Sequence, residues 1–504
     1  MGRAKAVLPF AVALSASITA AWFVYAQGWT MYFGDAEAHL NISRRLTDNR
    51  TPGLDQLGVP WLPLPHLLTA PFAAIDSLWF SGLAGTIPAA VCFAASAMFL
   101  FAALAEIFGS RIPAWAGMLA FLLNPNALYL QSTALTEPIF GLWLCAILFF
   151  TVRFRRTQSV IDVVCTGIAA ACATLTRYEG WFILPFCAIY FLLVAQRRWR
   201  AAATFCGIAG LAPASWVFYN WWLSGNWIEF LNGPGSAKAI QGGRPYPGKN
   251  DPGLAWLYWK TCIRLVLGPV LFWMIPIGGM AALIRRKWWP LILLALPTLF
   301  YLWSIESTGS TPIFMPELWP HSWYNDRYGV VALPLAAFGA AALAGIRKPI
   351  GAVVVVILAI LPWVRHPSPE NWIAWKESQV NSVSRRAWIG AAARYMQAKV
   401  RGKETIMADF DDTIGIFRYA RIPLRQVFHS GNTLIWEAAI QRPDSFLSAG
   451  WVVCQRRADS RLCRVMPGVS RYHLEHSVRV PGAEPIDIFK HNDGPLHQGA
   501  RRQE

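Results

Sequence analysis

Charge is scarce in this chain. Asp, Glu, Lys and Arg make up 14% of its 504 residues, against about 25% in a typical soluble domain. With 55% of residues hydrophobic, that shortfall excludes an ordinary cytosolic enzyme and any disordered or fibrous class. Cysteine is sparse as well, nine in all, and no Cys or His spacing matches a structural zinc site. What the chain does have is aromatic bulk, 26 Trp and 29 Phe, residues that gather where membrane meets water. Residues 1–365 are a series of apolar runs, whereas 366–504 read as a soluble domain. The composition is that of a polytopic membrane protein with an attached globular part.

Acid is scarcer than base, and the net charge is +17, which on its own would suggest nucleic acid. Its distribution argues otherwise. Residues 366–504 hold 20 Lys/Arg and 14 Asp/Glu, leaving 25 basic and 14 acidic residues before them. Fourteen of those 25 cluster in every second loop: Arg3 and Lys5; Arg111; Arg153, Arg155 and Arg156; Arg197, Arg198 and Arg200; Arg285, Arg286 and Lys287; Arg347 and Lys348. That asymmetry is a topology signal, with positive loops inside.

A span needs about 20 mainly apolar residues to cross roughly 30 Å of hydrocarbon. Eleven are expected, near 7–26, 82–106, 113–130, 138–152, 160–175, 181–195, 201–219, 262–284, 289–305, 329–346 and 350–364. The first follows Arg3 and Lys5 like a signal peptide, but its length and the lack of an A-x-A site favour an uncleaved anchor. These expectations put the N-terminus in the cytoplasm, the chain in the cytoplasmic (inner) membrane, and the 366–504 domain outside. The outer loops are then 27–81, with a short helix from Ala36 to Arg45; Asn124 to Glu137; the tight Thr176–Trp181; 220–261; and 306–328. From Asn232 to Gly253 there are six Gly and four Pro in 22 residues, a composition expected to form a mobile loop rather than a helix.

The tail alternates helix and strand signals. A helix over Arg385–Val400 and buried strands over Glu404–Phe410 and Ser448–Cys454 predict a small α/β domain, with the last dozen residues frayed. Seven cysteines lie in or beside spans as small apolar side chains. Cys454 and Cys463, with eight residues between them, suit a hairpin-closing disulfide in an oxidising compartment.

Candidate chemistry collects at the outer boundary. Gly34-Asp35-Ala36-Glu37-Ala38-His39 follows the first span directly, and ionisable groups at membrane depth suggest function by default. The same residues also suit a helix start, Asp35 capping and Glu37 favouring the positive end. Glu137, before Pro138, admits both readings. Arg177 and Glu179 could form an ion pair that holds their turn, and His66 could be a sugar contact or a plain interfacial histidine. Asp409, Asp411 and Asp412 form an acidic run expected in a solvated loop, so no catalytic group is expected from the tail.

Taken in order, these parts resemble the GT-C superfamily of integral-membrane glycosyltransferases, specifically its polyprenyl-phosphate-sugar-dependent members. The resemblance lies in Asp35-Ala36-Glu37-Ala38-His39 after the first span, Gly58-Val59-Pro60-Trp61-Leu62-Pro63-Leu64-Pro65-His66, Thr136-Glu137-Pro138, Leu175-Thr176-Arg177-Tyr178-Glu179-Gly180, and Arg327-Tyr328-Gly329 before a late span. It is nearest to bacterial members related to protein O-mannosyltransferases and to sugar transferases of lipopolysaccharide assembly, and covers about residues 1–365.

The resemblance implies a GT-C-like transmembrane catalytic part over 1–365 and an outer α/β domain over 366–504. It also implies transfer of a sugar from a polyprenyl-phosphate donor to a hydroxyl on a glycan, lipid or protein acceptor, usually with inversion. Asp35 matches the family's catalytic base. Glu37, His39, His66, Glu137 and Glu179 are candidate substrate contacts, and Arg177, Lys238, Arg244, Lys249, Arg264 and Arg327 are candidate partners of the donor phosphate. The Asp35-x-Glu37 pair offers oxygens that could hold a divalent metal cation, although so many outer cations favour turnover without one. A transporter or flippase of lipid-linked glycans is the alternative, but transporters usually show internal repeats and midplane binding residues, and here the ionisable groups sit at one face.

Overall fold

The computed structural model describes residues 4–243, 245–307 and 313–492. Apolar helices stand at all eleven positions expected for spans. Six of them, Val7–Ala26, Leu83–Phe108, Glu137–Thr157, Arg198–Ser224, Trp289–Glu306 and Asp326–Ala344, are long and apolar enough to cross a membrane. Pro252–Leu267 and Pro269–Ile284 would make a seventh as one span bent by 110°. The bend has a local cause. Gly268 sits at φ +76°, backbone that side-chain-bearing residues disfavour, and Pro269 cannot donate back into the first helix. Arg111–Leu122, Val160–Thr174, Tyr178–Val194 and Ile350–Arg365 are shorter, so eleven full crossings remain an expectation.

Small residues let the helices approach. A Cβ on Gly278 or Gly339 would run into the facing backbone of the Leu333–Ala344 or Pro269–Ile284 helix, the close packing that replaces hydrophobic drive in a lipid setting. Loop charges pair where they can: Arg153 lies 2.9 Å from Asp162 and Arg156 2.8 Å from Glu106.

By compactness the chain divides into two units that interleave in sequence. Met1–Thr30, Val59–Leu68 and Thr86–Val380 make the first; Met31–Gly58, Thr69–Gly85 and Asn381–Glu504 make the second. The sequence division at 365/366 follows hydropathy, and compactness draws a different line.

The second unit carries a five-stranded mixed sheet. Its strands are β1 (Ile406–Ala408), β2 (Val427–Phe428), β3 (Trp451–Gln455), β4 (Tyr472–Val478) and β5 (Ile486–His491), in the order β2-β1-β3-β5-β4. β1 runs parallel to β2 and β3, whereas β5 is antiparallel to β3 and β4. Every residue of β1 and β3 is buried, which is why both read as continuous apolar runs. Cys454, on β3, is disulfide-bonded to Cys463.

The first long loop belongs to this unit through hydrogen bonds. Asp48 accepts from the Leu424 amide at 2.9 Å, and Asn432 Nδ2 donates to Asn49 Oδ1 at 3.1 Å and Thr51 Oγ1 at 2.9 Å. Two sequence expectations change here. The acidic run is a loop, as expected, but half-buried and tied down: Asp409 accepts from Ser460 Oγ at 2.7 Å and Asp411 from the Thr413 amide at 2.8 Å. The Gly/Pro-rich stretch also holds a short helix, Ala237–Gln241, because Ser236 caps it by accepting from the Ala239 amide. The dozen C-terminal residues expected to fray lie outside the described residues.

Candidate active site

Within the second unit, Asp35 and Glu37 lie in the first turn of the Gly34–Arg45 helix, where negative charge meets the free amides of the helix start. The cap position belongs to Phe33, without a side-chain bond, so Asp35 does not cap. Arg385 Nη2 donates to Tyr32 O at 2.6 Å and anchors the approach to the helix. Asp35 and His39 are half-buried.

Glu37 is buried and fully engaged. Arg418 Nε and Nη2 donate to its two carboxylate oxygens at 2.7 Å each, and Asn41 Nδ2 adds a bond at 3.3 Å. Burial raises the acid's pKa, but the Arg418 charge and hydrogen bonds outweigh it and hold the carboxyl below its ordinary value. Trp79 Nε1 donates to Asn41 Oδ1 at 3.1 Å, and Arg418 Nη1 to Phe80 O at 2.9 Å. The Asp35-x-Glu37 pair therefore does not suit a divalent cation, since both Glu37 oxygens already face a guanidinium. Among the described residues no group of three His, Cys, Asp or Glu side chains could hold a metal ion.

The same unit buries a histidine that sequence reading passed over. His429 has no exposure, accepts from the Gly431 amide through Nδ1 at 3.1 Å, and lies 4.7 Å from the Phe410 ring. Burial, with the Arg45 charge adding to it, pushes its pKa down to about 3. Folded, it stays neutral. The unfolded imidazole takes a proton below pH ~6.5, so its contribution is complete above that pH and is lost as pH falls toward 3. The thermal midpoint of a His429→Gln variant should accordingly depend less on pH between 6.5 and 3 than that of the parent. An unchanged slope would mean that His429 titrates normally.

In the first unit the structure brings together four of the expected residues. Glu137 opens the Glu137–Thr157 helix, with Pro138 tolerated at its first turn. Its Oε1 lies 3.4 Å from Arg177 Nη1 and 3.2 Å from Arg327 Nε. Arg177 also donates to Glu179 at 2.7 Å, Thr136 Oγ1 at 2.7 Å and Tyr301 OH at 2.6 Å. The Arg177–Glu179 pair that could hold the turn does form, as one edge of a larger network. Arg327 Nη1 reaches Glu377 at 3.3 Å, and Glu377 accepts from the Asn325 and Arg327 amides at 3.2 and 3.1 Å. Tyr328 stacks on Tyr301 at 5.0 Å, with the Arg177 and Arg327 guanidinium groups 5.2 and 5.0 Å from its ring.

Two arginines thus serve three glutamates. The donors named here face carboxylates and the Thr136 and Tyr301 hydroxyls, so a phosphate reaching them would compete with these partners. Beside the network lies a mostly apolar cavity of about 40 Å³, lined by Phe93, Ser96, Leu144, Val331 and Pro334 among others. It is large enough for a few waters and too small for an isoprenoid chain.

Among the solved structures that match nearly the whole chain are two of ArnT. ArnT from Cupriavidus metallidurans bound to undecaprenyl phosphate matches with a TM-score of 0.60 at 15% identity, covering 97% of this chain and 98% of that one. Apo ArnT from the same organism gives 0.55 at 14% identity, over 94% and 97%. The chain has the fold of these ArnT structures. It is an integral membrane protein on that fold and on its apolar helices. No protein-family model and no curated protein matches the sequence.

The remaining expected residues are dispersed. In the first unit His66 is buried on the Leu64–Ala73 helix, whose Leu64 amide donates to Leu175 O at 3.0 Å. That bond joins the proline-punctuated motif to the Thr176–Gly180 turn. Lys238, Lys249 and Arg264 are exposed, and Arg244 lies outside the described residues. Sequence reading missed Tyr301, Glu377 and Arg418. The hydroxyl of Tyr301 inside an apolar run was a usable signal. Glu377 and Arg418 gave none, since each finds its partner far along the chain.

Proposed function

We propose that this protein is a GT-C glycosyltransferase that moves a sugar from a polyprenyl-phosphate donor to an acceptor hydroxyl at the outer membrane face, with inversion at the anomeric carbon. The observation that carries the reading is the fold it shares, end to end, with a structure that holds undecaprenyl phosphate. The acidic helix directly after the first span supports it. In this reading Asp35 accepts the hydroxyl proton as the acceptor oxygen bonds to the anomeric carbon. The bond from that carbon to the phosphate oxygen breaks, and polyprenyl phosphate leaves with its electron pair. A positioned base contributes about 10²–10⁴-fold. The leaving phosphate needs cations where its charge grows, and of those expected Lys238, Lys249 and Arg264 are exposed. Arg177 and Arg327 instead fix the Glu137 network. The 366–504 domain is outside in this reading and supports the fold or the acceptor. No step requires a metal.

The test is turnover by the purified chain. Undecaprenyl-phosphate-linked sugar should yield free undecaprenyl phosphate, slowly with water and faster with a hydroxyl acceptor. Movement of intact donor across vesicles without cleavage would instead support a flippase. Orientation has its own check. Reporter fusions after Arg156 and Lys348 should read cytoplasm, and fusions after Ser368 the outer face. A cytoplasmic signal at Ser368 would mean an even number of crossings.

A further inference from the structure

A second cavity of the first unit lies at the far end of the Glu137–Thr157 helix from Glu137. That helix has 21 residues, so at 1.5 Å per residue its ends are about 30 Å apart, the thickness of a bilayer's hydrocarbon. The cavity, about 720 Å³, is lined by Arg111, Arg155, Arg156, Arg286 and Lys287, with Glu106 the only carboxylate on its wall. Arg156 pairs with Glu106 at 2.8 Å, leaving four cations facing a recess with no acid to balance them. Ala102, Ala105 and Val152 supply an apolar wall. Trp289 lies on the rim with Arg155 5.4 Å from its ring and Tyr190 stacked on it at 5.4 Å, an aromatic pair of the kind that marks a headgroup boundary. Ser110 and Arg111, also in the wall, open the Arg111–Leu122 helix, and the Ser110 side chain makes no bond to its first amides; such amides favour an anion.

Positive loops orient a chain without needing a shape. Here cations from three separate loops converge on one recess with the volume of a ligand pocket. We propose that this recess binds the phosphate headgroup of an anionic phospholipid, on the membrane face opposite the Glu137 cluster. Basic pockets between membrane helices on the cytoplasmic side recognise such headgroups. The apolar wall would take the start of the acyl chains, which a free phosphate lacks. The proposal rests on the membrane reading and not on the transfer reaction, so it can fail while the transfer reading stands.

Native mass spectrometry of the full chain released from detergent tests it, with phosphatidylglycerol, phosphatidylcholine and inorganic phosphate as probes. Phosphatidylglycerol should be retained saturably at one per chain and phosphatidylcholine should not. Arg155→Gln with Arg286→Gln should weaken retention about thirtyfold, the equivalent of ~2 kcal/mol at ~1 kcal/mol per charge. Lys287→Gln alone should weaken it about fivefold, and serves if the double variant folds poorly. Equal retention of both lipids, or an undiminished affinity in the Lys287 variant, would overturn the site. Displacement of phosphatidylglycerol by millimolar inorganic phosphate would overturn the lipid assignment in favour of a free-phosphate site.

Discussion

Asp35→Asn should lower sugar transfer by about 10²–10⁴-fold, the range for a lost general base, with expression and thermal midpoint near the parent's. The substitution keeps size and polarity and removes only the basic carboxylate. It leaves the helix start intact, because the cap position belongs to Phe33 and the buried carboxylate of that turn is Glu37. The loss should fall on kcat more than KM, since the base acts on the proton in the transition state. Near-normal transfer by a well-folded Asp35→Asn protein would remove Asp35 as the base. Glu137 would then be the next acid to test, because only its Oε1 carries the contacts to Arg177 and Arg327.

How much of this was legible in the sequence depends on the range of the interaction. Apolar runs, loop charge and the helix after the first span are local signals, and the helices from Val7 to Arg365 follow them. In the tail, β1 and β3 were readable because both their faces are buried. β4 was not, because its Tyr472–Val478 run at a sheet edge is interrupted by His473, Glu475 and His476, which leaves no continuous apolar stretch. The Ala237–Gln241 helix escaped because one Ser236 cap can hold a single turn against poor composition. At the candidate site the short motifs identified Glu137, Arg177, Glu179 and Arg327, and the Arg177–Glu179 pair, but not that Glu137 is shared between Arg177 and Arg327. Charge reads from sequence as availability, whereas burial forces pairing. A buried ion pair of very long range was the least visible: Glu37 and Arg418 are 381 residues apart.

That pair also carries the largest expected stability effect. Glu37 and Arg418 side chains are each 4% exposed, so removing either partner leaves a charge in the interior of the second unit. Arg418→Met should destabilise that unit by about 3–5 kcal/mol, most of it the penalty of a Glu37 carboxylate without its guanidinium. Replacing both, as Glu37→Leu with Arg418→Met, removes the stranded charge and should recover most of the loss, since an apolar pair of similar volume is often neutral relative to a buried ion pair. Thermal unfolding of the purified full chain in detergent, compared across the two single variants and the double, reads this directly. The consequence for activity follows from spacing. Asp35 is two residues before Glu37 on the same helix, so an Arg418→Met protein should lose turnover as well as stability, and the double variant should regain part of both. If Arg418→Met melts with the parent, Glu37 must be held by other groups, and Arg418 is not what fixes the helix that bears Asp35.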